Sequence, residues 1–336
     1  MPRVPIAEIR RKMLRALEVR GLTDEHAVML VDEFLDAELE GKLTHGVGKF
    51  LLMDRDLADR GGPAHEIVGS DSFTLVNARK EIGQIAAAEC IELLKPKVKQ
   101  VGIATVGMVN FSRLGRLSPY GRMLANEGLV GIIMSSAGPP VVSPYGGVNP
   151  MLGTNPICFA FPVSDGPMVI DLSTGTSVWG EIRQATLENR PLPEGTFLDP
   201  HGDFTTDPKS ATSVIPFGGP KGYALCLALE VLCGALVTAK MGPRVESQYD
   251  IGFLAIGIDP GSFGVDQTLP AELNELVCSI RNAKAQAGVA SVHVPGERSK
   301  LRREQAVSEG VIDIADATWS GLLRMHEGLS SGMTID

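Results

Sequence analysis

Near the middle of the chain, two apolar runs enclose a long loop rich in glycine, proline, asparagine and serine. The runs cover residues 129–134 and 157–163, and residues 134–162 read MSSAGPPVVSPYGGVNPMLGTNPICFAFP. Apolar runs bounded by such turn residues are typical of strands. A loop of this length in a compact domain is usually functional or disordered, and its few charges argue against disorder. We therefore expect two strands that present a backbone-rich loop to a ligand. The alternative is a structural loop whose glycines only make turns.

The composition limits the classes of function. The 336 residues, 44% of them hydrophobic and 21% charged, are enough for two domains or one large one with a sizeable core. A net charge of -9 and the lack of a basic tract in the sequence disfavour nucleic-acid binding. The cysteines lie outside CxxC spacing, which predicts buried reduced thiols in a cytoplasmic protein and no metal site. They are Cys90, Cys158, Cys226, Cys233 and Cys278.

Membrane association is not expected. The N-terminus turns amphipathic at once and lacks the apolar core of a signal peptide. Only residues 223–239, YALCLALEVLCGALVTA, are apolar enough to suggest a membrane span, but the segment is short and contains Glu230. We expect a helix that is buried by neighbouring elements.

Helical periodicity dominates the start of the chain. Apolar residues recur at three- and four-residue spacing from Ile6 to Leu17, and Gly21 is placed to end this helix. Thr23 is the predicted N-cap of a second helix that runs to about Glu40. These helices present a packing face and little chemistry.

The next segment, GKLTHGVGKF, contains a candidate catalytic histidine. His45 lies between a hydroxyl side chain and a glycine at a predicted helix-to-helix junction. A histidine chosen at random is more often structural than functional. Here Thr44 can orient the imidazole, and the cation of Lys49, one turn further on, can hold a substrate carboxylate. We therefore treat His45, Thr44 and Lys49 as candidate catalytic residues.

From residue 72 onward the pattern becomes that of a mixed α/β domain. Helices are predicted at 84–94 and from after Gly115 to about Asn126. Strands are predicted at 73–76, 101–109, 168–172, 252–258 and 289–294.

Arg113 is a candidate anion-binding residue. It lies in the polar break NFSRLG, just before a predicted helix. A cation near a helix N-terminus opposes the helix dipole, so packing does not explain it. An ordinary surface arginine is an equally good interpretation.

Three further segments are candidates for phosphate binding. The first follows the strand that ends at Leu172 and offers hydroxyl and backbone N–H groups, although turns use the same residue types. Its residues are Ser173, Thr174, Gly175, Thr176 and Ser177. In the second, FGGPKGY, Lys221 begins the apolar helix, which is unfavourable unless an anion is bound. The third is a turn at Pro295–Arg298.

Several common motifs are missing from the sequence. It contains neither GxGxxG after a strand nor GxxxxGK[ST], so a nucleotide site must use another design. It also lacks GxSxG and HExxH, which removes the commonest serine hydrolase and zinc protease interpretations.

Taken together, several blocks resemble the malate/L-lactate dehydrogenase family, which is unrelated to the Rossmann-type enzymes. Its members include ureidoglycolate dehydrogenase, diketogulonate reductase and cyclic-imine carboxylate reductases. The order and spacing of the blocks are specific, although each block alone is weak. They are THGVGK (44–49), GGVNPMLGTNP (146–156), DLSTGTSVWG (171–180), TTDP (205–208), FGGPKGY (217–223) and VPGER (294–298).

The resemblance implies an α+β fold in which NAD or NADP lies along a largely antiparallel sheet. It implies a cofactor-binding α/β domain at 71–299 and a helical domain formed by 1–70 with 300–336. A homodimer is usual in the family. The sequence leaves the choice between NAD and NADP open.

The resemblance also implies roles for individual residues. Ser173 to Ser177 would line the pyrophosphate and ribose, with Pro220 and Lys221 beside them. Ser136 would lie near the nicotinamide, and His45 matches the histidine proposed as proton donor in some members. The turn residues Gly296, Glu297 and Arg298 would close over the cofactor.

Two departures from the family pattern bear on the chemistry. The arginine four residues after the motif histidine is Lys49 here, which keeps the charge but loses the bidentate fork. The second histidine, the proposed acid/base of the hydroxy-acid dehydrogenases, is replaced by Arg113. An arginine that stays protonated cannot act as a base near neutral pH.

Three functions remain open from the sequence. The leading hypothesis is an NAD(P)-dependent oxidoreductase of a small 2-oxo or 2-hydroxy acid, with His45 as proton donor or acceptor. Lys49 and Arg113 would then bind the carboxylate. The second is a reductase of a cyclic imine carboxylate, whose substrate can enter already protonated. The third is a dinucleotide-binding subunit that has lost catalysis.

Overall fold

The computed structural model describes residues 1–22, 24–62 and 64–332. Thr23, the predicted N-cap, lies outside these ranges. The described helices are α1 (Ile6–Glu18), α2 (Asp24–Leu39), α3 (Val47–Phe50), α4 (Met53–Ala58), α5 (Gly83–Val101), α6 (Ser118–Asn126), α7 (Gly180–Glu188), α8 (Pro220–Cys233), α9 (Leu269–Arg281), α10 (Glu297–Glu309) and α11 (Asp316–His326). Short 3-10 turns occur at Leu43–His45, Ala235–Val237, Gly242–Arg244 and Pro260–Phe263.

The strands form three sheets. Their bounds are β1 (Arg3–Pro5), β2 (His65–Gly69), β3 (Phe73–Glu81), β4 (Ile103–Phe111), β5 (Val130–Ser135), β6 (Ile157–Phe161), β7 (Met168–Leu172), β8 (Phe197–Leu198), β9 (Phe204–Thr205), β10 (Ser213–Val214), β11 (Gly252–Ile258) and β12 (Val311–Asp313). The central sheet has seven strands in the order β2-β3-β4-β11-β5-β6-β7. β3 and β4 run parallel, and every other neighbouring pair in this sheet is antiparallel. The prediction of an α/β fold with a largely antiparallel sheet is therefore confirmed.

Both faces of the central sheet are covered by helices, and successive side chains of a strand pack on opposite faces. In β11, Phe253 and Ala255 pack with α5 and α6, whereas Leu254 between them packs with Leu229 and Cys233 of α8. Successive strand residues point to opposite faces, so one strand contributes to both cores.

The strand register places the ends of five strands at one end of the central sheet. Gly252 at the start of β11 pairs with Val109 of β4, and Phe253 pairs with Ser135 at the end of β5. Ile157, which begins β6, pairs with both Met134 and Leu172. The last residues of β4, β5 and β7 therefore lie at the same end of the sheet as the first residues of β6 and β11. We call this the functional end of the sheet.

A second core draws on both ends of the chain. β1 pairs with β12, and buried residues of α1, α2, α3 and α11 form one cluster that includes Ile9, Leu30, Phe50 and Leu322. Ile82 and Ile85, at the start of α5, join the same cluster. The boundaries of the helical and cofactor-binding domains stay a prediction, and residues 333–336 of the former lie outside the described ranges.

Two local predictions are wrong. Residues 289–294 form no strand. A β-prone run becomes a strand only where a neighbour accepts its backbone hydrogen bonds, and none of the described strands pairs with this segment. Cys278 is exposed on α9, while the other four cysteines are buried, and all five are free.

The apolar helix α8 is less buried than its composition predicts. One side packs on the sheet, but the large apolar residues Leu227, Val231, Leu232 and Leu236 are exposed on α8 and the turn that follows it. By length and composition alone, Pro220–Val237 could cross a membrane, and 39% of this window is buried. Core helices of soluble proteins pass the same test, so this finding is weak support for a span.

Candidate active site

The turn that carries His45 is fixed by a carboxylate from α2. Glu38 Oε2 accepts a hydrogen bond of 2.8 Å from the backbone N–H of Val47, the first residue of α3. A Cβ on Gly46 would lie 1.9 Å from that same oxygen, so only glycine leaves room for the contact. Thr44 Oγ1 lies 3.0 Å from His45 Nδ1, and the tautomer of the ring decides which atom donates. The predicted pairing of hydroxyl and imidazole is therefore present.

Three cations from three different elements lie near one another just after this turn. Lys49 belongs to α3, Arg113 to the loop after β4, and Arg183 to α7. The first residue of α7, Gly180, lies against Thr44, where an added Cβ would come within 3.4 Å of Thr44 Cβ. We call Lys49, Arg113 and Arg183 the cation cluster.

Two of these cations have identified partners. Arg183 Nη2 donates a hydrogen bond of 3.2 Å to the carbonyl oxygen of Gly48, the residue before Lys49. Arg113 Nη2 lies 3.3 Å and 3.4 Å from the two carboxylate oxygens of Asp56. Arg113 Nε and Arg183 Nη1 are buried and have no hydrogen-bond partner among the described residues.

Asp56 anchors the cluster to the sheet. Its side chain is buried in α4 and accepts a second hydrogen bond, 3.0 Å long, from Gln248 Nε2. Gln248 lies four residues before β11 begins, and Arg113 lies two residues after β4 ends. Asp56 therefore ties the cation cluster to the functional end of the sheet.

Burial and, after it, neighbouring positive charge set the electrostatics of the site. Burial, followed by the charges of Arg113 and Arg183, lowers the pKa of Lys49 to about 7, while Asp56 opposes this shift. Burial and the nearby cations Lys49, Arg116 and Lys42 lower the pKa of His45 to about 3. The imidazole is therefore neutral at physiological pH and able to accept a proton.

Sequence reasoning missed three members of this site. Arg183 lies in the first turn of α7, where a cation opposes the helix dipole, the same signal that singled out Arg113. Asp56 and Gln248 carried no sequence signal, because their role depends on three distant segments meeting.

The predicted phosphate-binding segments meet at the functional end of the sheet. The backbone N–H of Phe217 donates to the carbonyl of Thr174, and that of Thr176 donates to the carbonyl of Ile215, at 3.0 Å and 2.9 Å. The loop Ser173 to Ser177 therefore lies directly beside the FGGPKGY segment, which leads into α8.

Two of the predicted cofactor-binding residues have side chains that are buried and hydrogen-bonded to the protein backbone. Thr174 is fully buried, and its hydroxyl donates to the carbonyls of Thr154 and Asn155 at 2.9 Å and 3.0 Å. Ser136 is also buried, and its Oγ accepts from the N–H of Gly252 at 3.0 Å. These two side chains shape the backbone of the site. Ser173, Gly175, Thr176 and Ser177 form the rest of the loop, with Thr176 the most exposed member.

The start of α8 fits a bound phosphate. Gly218 and Gly219 have φ angles of 59° and 61°, and Pro220 opens the helix. Lys221 is exposed, and no described acidic residue forms an ion pair with it. An unpaired cation and free N–H groups at a helix N-terminus are suited to an anion such as a pyrophosphate.

The turn at Gly296, Glu297 and Arg298 lies further along the sheet. An added Cβ on Gly296 would come within 3.3 Å of the carbonyl of Val169, four residues before Ser173 in β7. The carboxylate of Glu297 accepts from the N–H of Val294 at 2.8 Å and pairs with Arg281. Arg298 is exposed and has no described partner. The structure therefore places this turn beside β7 and does not bring it into the loop Ser173 to Ser177.

The fold has a largely antiparallel central sheet, with the predicted phosphate-binding segments at its functional end. A sequence model described as malate/L-lactate dehydrogenase matches residues 4–323. The chain therefore belongs to the malate/L-lactate dehydrogenase family. The predictions of this family, of its fold and of a nicotinamide-dependent oxidoreductase are confirmed.

Individual relatives agree with this assignment. The chain is 32% identical to a malate/(S)-sulfolactate dehydrogenase from Methanothermus fervidus, over 90% of this chain and 91% of the relative. It is 30% identical to an NAD(+) ureidoglycolate dehydrogenase from Escherichia coli O157:H7, over 90% of each chain.

Solved structures give the same result. The sulfolactate dehydrogenase from Methanocaldococcus jannaschii superposes with a TM-score of 0.88 at 27% identity and covers 98% of each chain. The delta1-piperideine-2-carboxylate reductase from Pseudomonas syringae superposes with a TM-score of 0.80 at 27% identity, over 97% of this chain and all of the other.

The lowered pKa of Lys49 makes anion binding depend on pH. We expect the affinity for oxamate, a non-reactive carboxylate analogue of pyruvate, to fall as the pH rises through about 7, because Lys49 then loses its charge. The dissociation constant should rise by up to about tenfold per pH unit above that point, because the charged fraction of Lys49 falls tenfold with each pH unit above its pKa. Calorimetric titration between pH 6 and 9 measures this change.

Lys49→Arg provides the control for this measurement. Its guanidinium stays charged over the whole range, so the dependence on pH should disappear. If the variant loses affinity at the same pH as the unaltered chain, another group is responsible.

Proposed function

We propose that the chain transfers a hydride between NAD or NADP and a small 2-oxo or 2-hydroxy acid. The observation that carries the proposal is the neutral imidazole of His45 beside the cation cluster, which Asp56 ties to the functional end of the sheet. The predicted nucleotide-binding loop lies at the same end. Proton transfer and carboxylate binding are the two tasks that the protein must perform in this reaction.

The residues present fit a dinucleotide. The bound nicotinamide supplies the hydride acceptor or donor. We propose that the loop Ser173 to Ser177 and the start of α8 at Pro220 and Lys221 hold its phosphates, through backbone N–H groups and one cation. Buried Ser136 and Thr174 keep this backbone in place through the contacts to Gly252 and Thr154.

His45 handles the proton in this proposal. In oxidation it accepts the proton of the substrate hydroxyl. In reduction the neutral imidazole first takes up a proton from solvent when the substrate carboxylate binds, and then passes that proton to the carbonyl oxygen. Thr44, at 3.0 Å from Nδ1, fixes the orientation of the ring. A substrate carboxylate that binds at Lys49 offsets the positive charge there, which raises the pKa of the imidazole from its low value in the free site. Substrate binding thereby makes His45 a stronger base.

Lys49 and Arg113 bind the substrate carboxylate in this proposal. Lys49 is surrounded by cations and forms no ion pair with a described acid, so an anion is its natural partner. Asp56 holds Arg113 in place through Nη2, whereas Nε has no hydrogen-bond partner among the described residues.

Reduction of a cyclic imine carboxylate is the second candidate. Arg113 replaces the second histidine of the family pattern, and an iminium that enters protonated needs no acid. The superposable piperideine carboxylate reductase supports this candidate. Membership of a dehydrogenase family favours both enzymatic candidates over a non-catalytic subunit.

A paired substrate panel tests the proposal. NADH and NADPH oxidation is followed spectroscopically with pyruvate, oxaloacetate and branched 2-oxo acids, and with piperideine- and pyrroline-2-carboxylate. We expect turnover of the 2-oxo acids. Turnover confined to the imines would replace the proposal by the second candidate. Tight cofactor binding without turnover of any of these compounds would support a non-catalytic role.

Substitution of the histidine tests its role. His45→Ala should lower kcat for a 2-oxo acid roughly 10²- to 10⁴-fold, as expected for a general acid/base, and should leave the dissociation constant of the cofactor unchanged. Steady-state kinetics and cofactor titration measure both quantities. His201→Ala, on an exposed turn, is the matched control and should behave like the unaltered chain. Unchanged kcat in His45→Ala would remove this residue from the mechanism.

We further propose a cytoplasmic homodimer that does not span a membrane. The exposed apolar side chains of α8 and the turn after it form a surface suited to a second copy of the chain. Light scattering should give twice the chain mass of 35.7 kDa, and Leu236→Glu should shift the protein towards the monomer. A monomeric unaltered chain, or its recovery in the membrane fraction of lysed cells, would contradict this proposal.

A further inference from the structure

Glu230 is a buried carboxylate that the proposed mechanism does not use. It is 4% exposed and is the one charged residue in the apolar segment 223–239. Both of its hydrogen-bond partners are uncharged groups, and no described lysine, arginine or histidine forms an ion pair with it. Removing a carboxylate from water costs free energy unless hydrogen bonds or an opposite charge compensate. The position of Glu230 in α8 therefore has to be explained by its contacts.

The two oxygens of Glu230 bind two different segments. Oε2 accepts a hydrogen bond of 2.6 Å from Asn155 Nδ2, and Oε1 accepts one of 2.6 Å from the backbone N–H of Gly242. Asn155 lies two residues before β6, and Gly242 begins a 3-10 turn between α8 and β11. Hydrogen bonds to a carboxylate are shorter and stronger than those between neutral groups. Glu230 therefore fixes the side chain of Asn155 relative to α8.

Asn155 is held in a conformation that lowers stability. Nδ2 also donates to the carbonyl of Cys226 at 3.2 Å, so both of its hydrogens face acceptors, whereas Oδ1 is buried and has no hydrogen-bond partner among the described residues. The residue is fully buried, and its φ of 23° lies in the region that favours glycine. An unpaired buried oxygen and a strained backbone both cost free energy, so stability alone does not explain this asparagine.

Asn155 is joined to the loop Ser173 to Ser177 through two backbone carbonyls. The hydroxyl of Thr174 donates to the carbonyls of Thr154 and Asn155 at 2.9 Å and 3.0 Å. The carbonyl of Thr154 also accepts from the N–H of Thr174 at 3.0 Å and from Ser173 Oγ at 3.1 Å. The first two residues of the loop therefore depend on the peptide groups at residues 154 and 155. A shift of Asn155 would change where the loop places its remaining N–H groups.

We infer that Glu230 is a positioning residue for the proposed cofactor site. Acting through Asn155, its carboxylate holds the loop Ser173 to Ser177 in the conformation that receives the phosphates of the dinucleotide. The inference rests on the proposed function for the identity of the ligand. It assigns a task to the charge in the middle of the apolar helix α8, and it accounts for the strained backbone of Asn155.

Glu230→Gln tests the inference. The introduced amide has nearly the size of the carboxylate but only one acceptor oxygen, so it cannot accept from both Gly242 and Asn155. We expect the dissociation constant of NADH or NADPH, whichever the unaltered chain binds more tightly, to rise roughly 10- to 100-fold, the range for loss of a hydrogen bond to a charged group. ADP keeps the phosphates and lacks the nicotinamide, and its dissociation constant should rise by a similar factor. Calorimetric titration measures both constants.

Two further measurements separate positioning from a general structural role. The dissociation constant of oxamate, the ligand of the cation cluster, should stay unchanged in Glu230→Gln, and kcat at saturating cofactor should change little. A carboxylate needed only for folding would instead lower the fraction of protein that binds, and this fraction would bind ADP as tightly as the unaltered chain. Equal losses of oxamate and ADP affinity would also contradict the inference. Glu275→Gln, exposed on α9, is the matched control and should leave all these constants unchanged.

A double-variant cycle tests the path through Asn155. Asn155→Gly removes the amide, and glycine tolerates the positive φ at this position. This variant should weaken the binding of ADP, and Glu230→Gln should then add little to the loss. If the two losses add fully, Glu230 does not act through Asn155, and the inference is wrong.

Binding and turnover together distinguish this inference from the proposed function. If Glu230→Gln weakens the binding of cofactor and ADP while no 2-oxo acid is turned over, the positioning role stands and the proposed reaction fails. If a 2-oxo acid is reduced but Glu230→Gln binds the cofactor and ADP as tightly as the unaltered chain, the reaction stands and the positioning role fails. An unaltered chain that binds neither the cofactors nor ADP would contradict both.

Discussion

The buried carboxylate of Asp56 is the contact on which the candidate site depends. It joins three segments that are distant in sequence: α4, the loop after β4 that carries Arg113, and the approach to β11 that carries Gln248. A carboxylate buried in this way is stable only because it is paired and hydrogen-bonded. The same contact fixes Arg113 relative to the helices that carry His45 and Lys49. Without it, the helical core and the functional end of the sheet would lack this polar connection.

Asp56 neutralises only part of the charge that it helps to assemble. The low pKa values of Lys49 and His45 express first the free-energy cost of burying a charge away from water and second the repulsion by neighbouring cations. A folded site that carries this unfavourable charge is prepared for an anion, because binding removes the repulsion. The proposed binding of a substrate acid therefore rests on the same buried arrangement that lowers these pKa values.

The predicted nucleotide-binding segments are built differently from the cation cluster. They use backbone, not side-chain charge: buried Ser136 and Thr174 tie the loops together, and consecutive glycines before α8 leave the helix N-terminus open. The predicted roles of these two residues near the cofactor stay predictions, and the structure shows that their hydroxyls are engaged with the protein itself. The exposed groups beside them, Lys221 and the backbone of Ser173 to Ser177, remain available to a ligand.

The sequence by itself determined the family, the fold class, the two strands around the central loop and the pairing of Thr44 with His45. These follow from local patterns: alternation, helical periodicity, turn residues and motif blocks that keep their order. Only the tertiary structure decided that residues 289–294 have no strand partner and that α8 leaves an apolar side exposed. It also decided that Asp56, Gln248 and Arg183 belong to the site. The physical reason is that charge compensation and strand pairing depend on which distant segments become neighbours, and no local pattern records that.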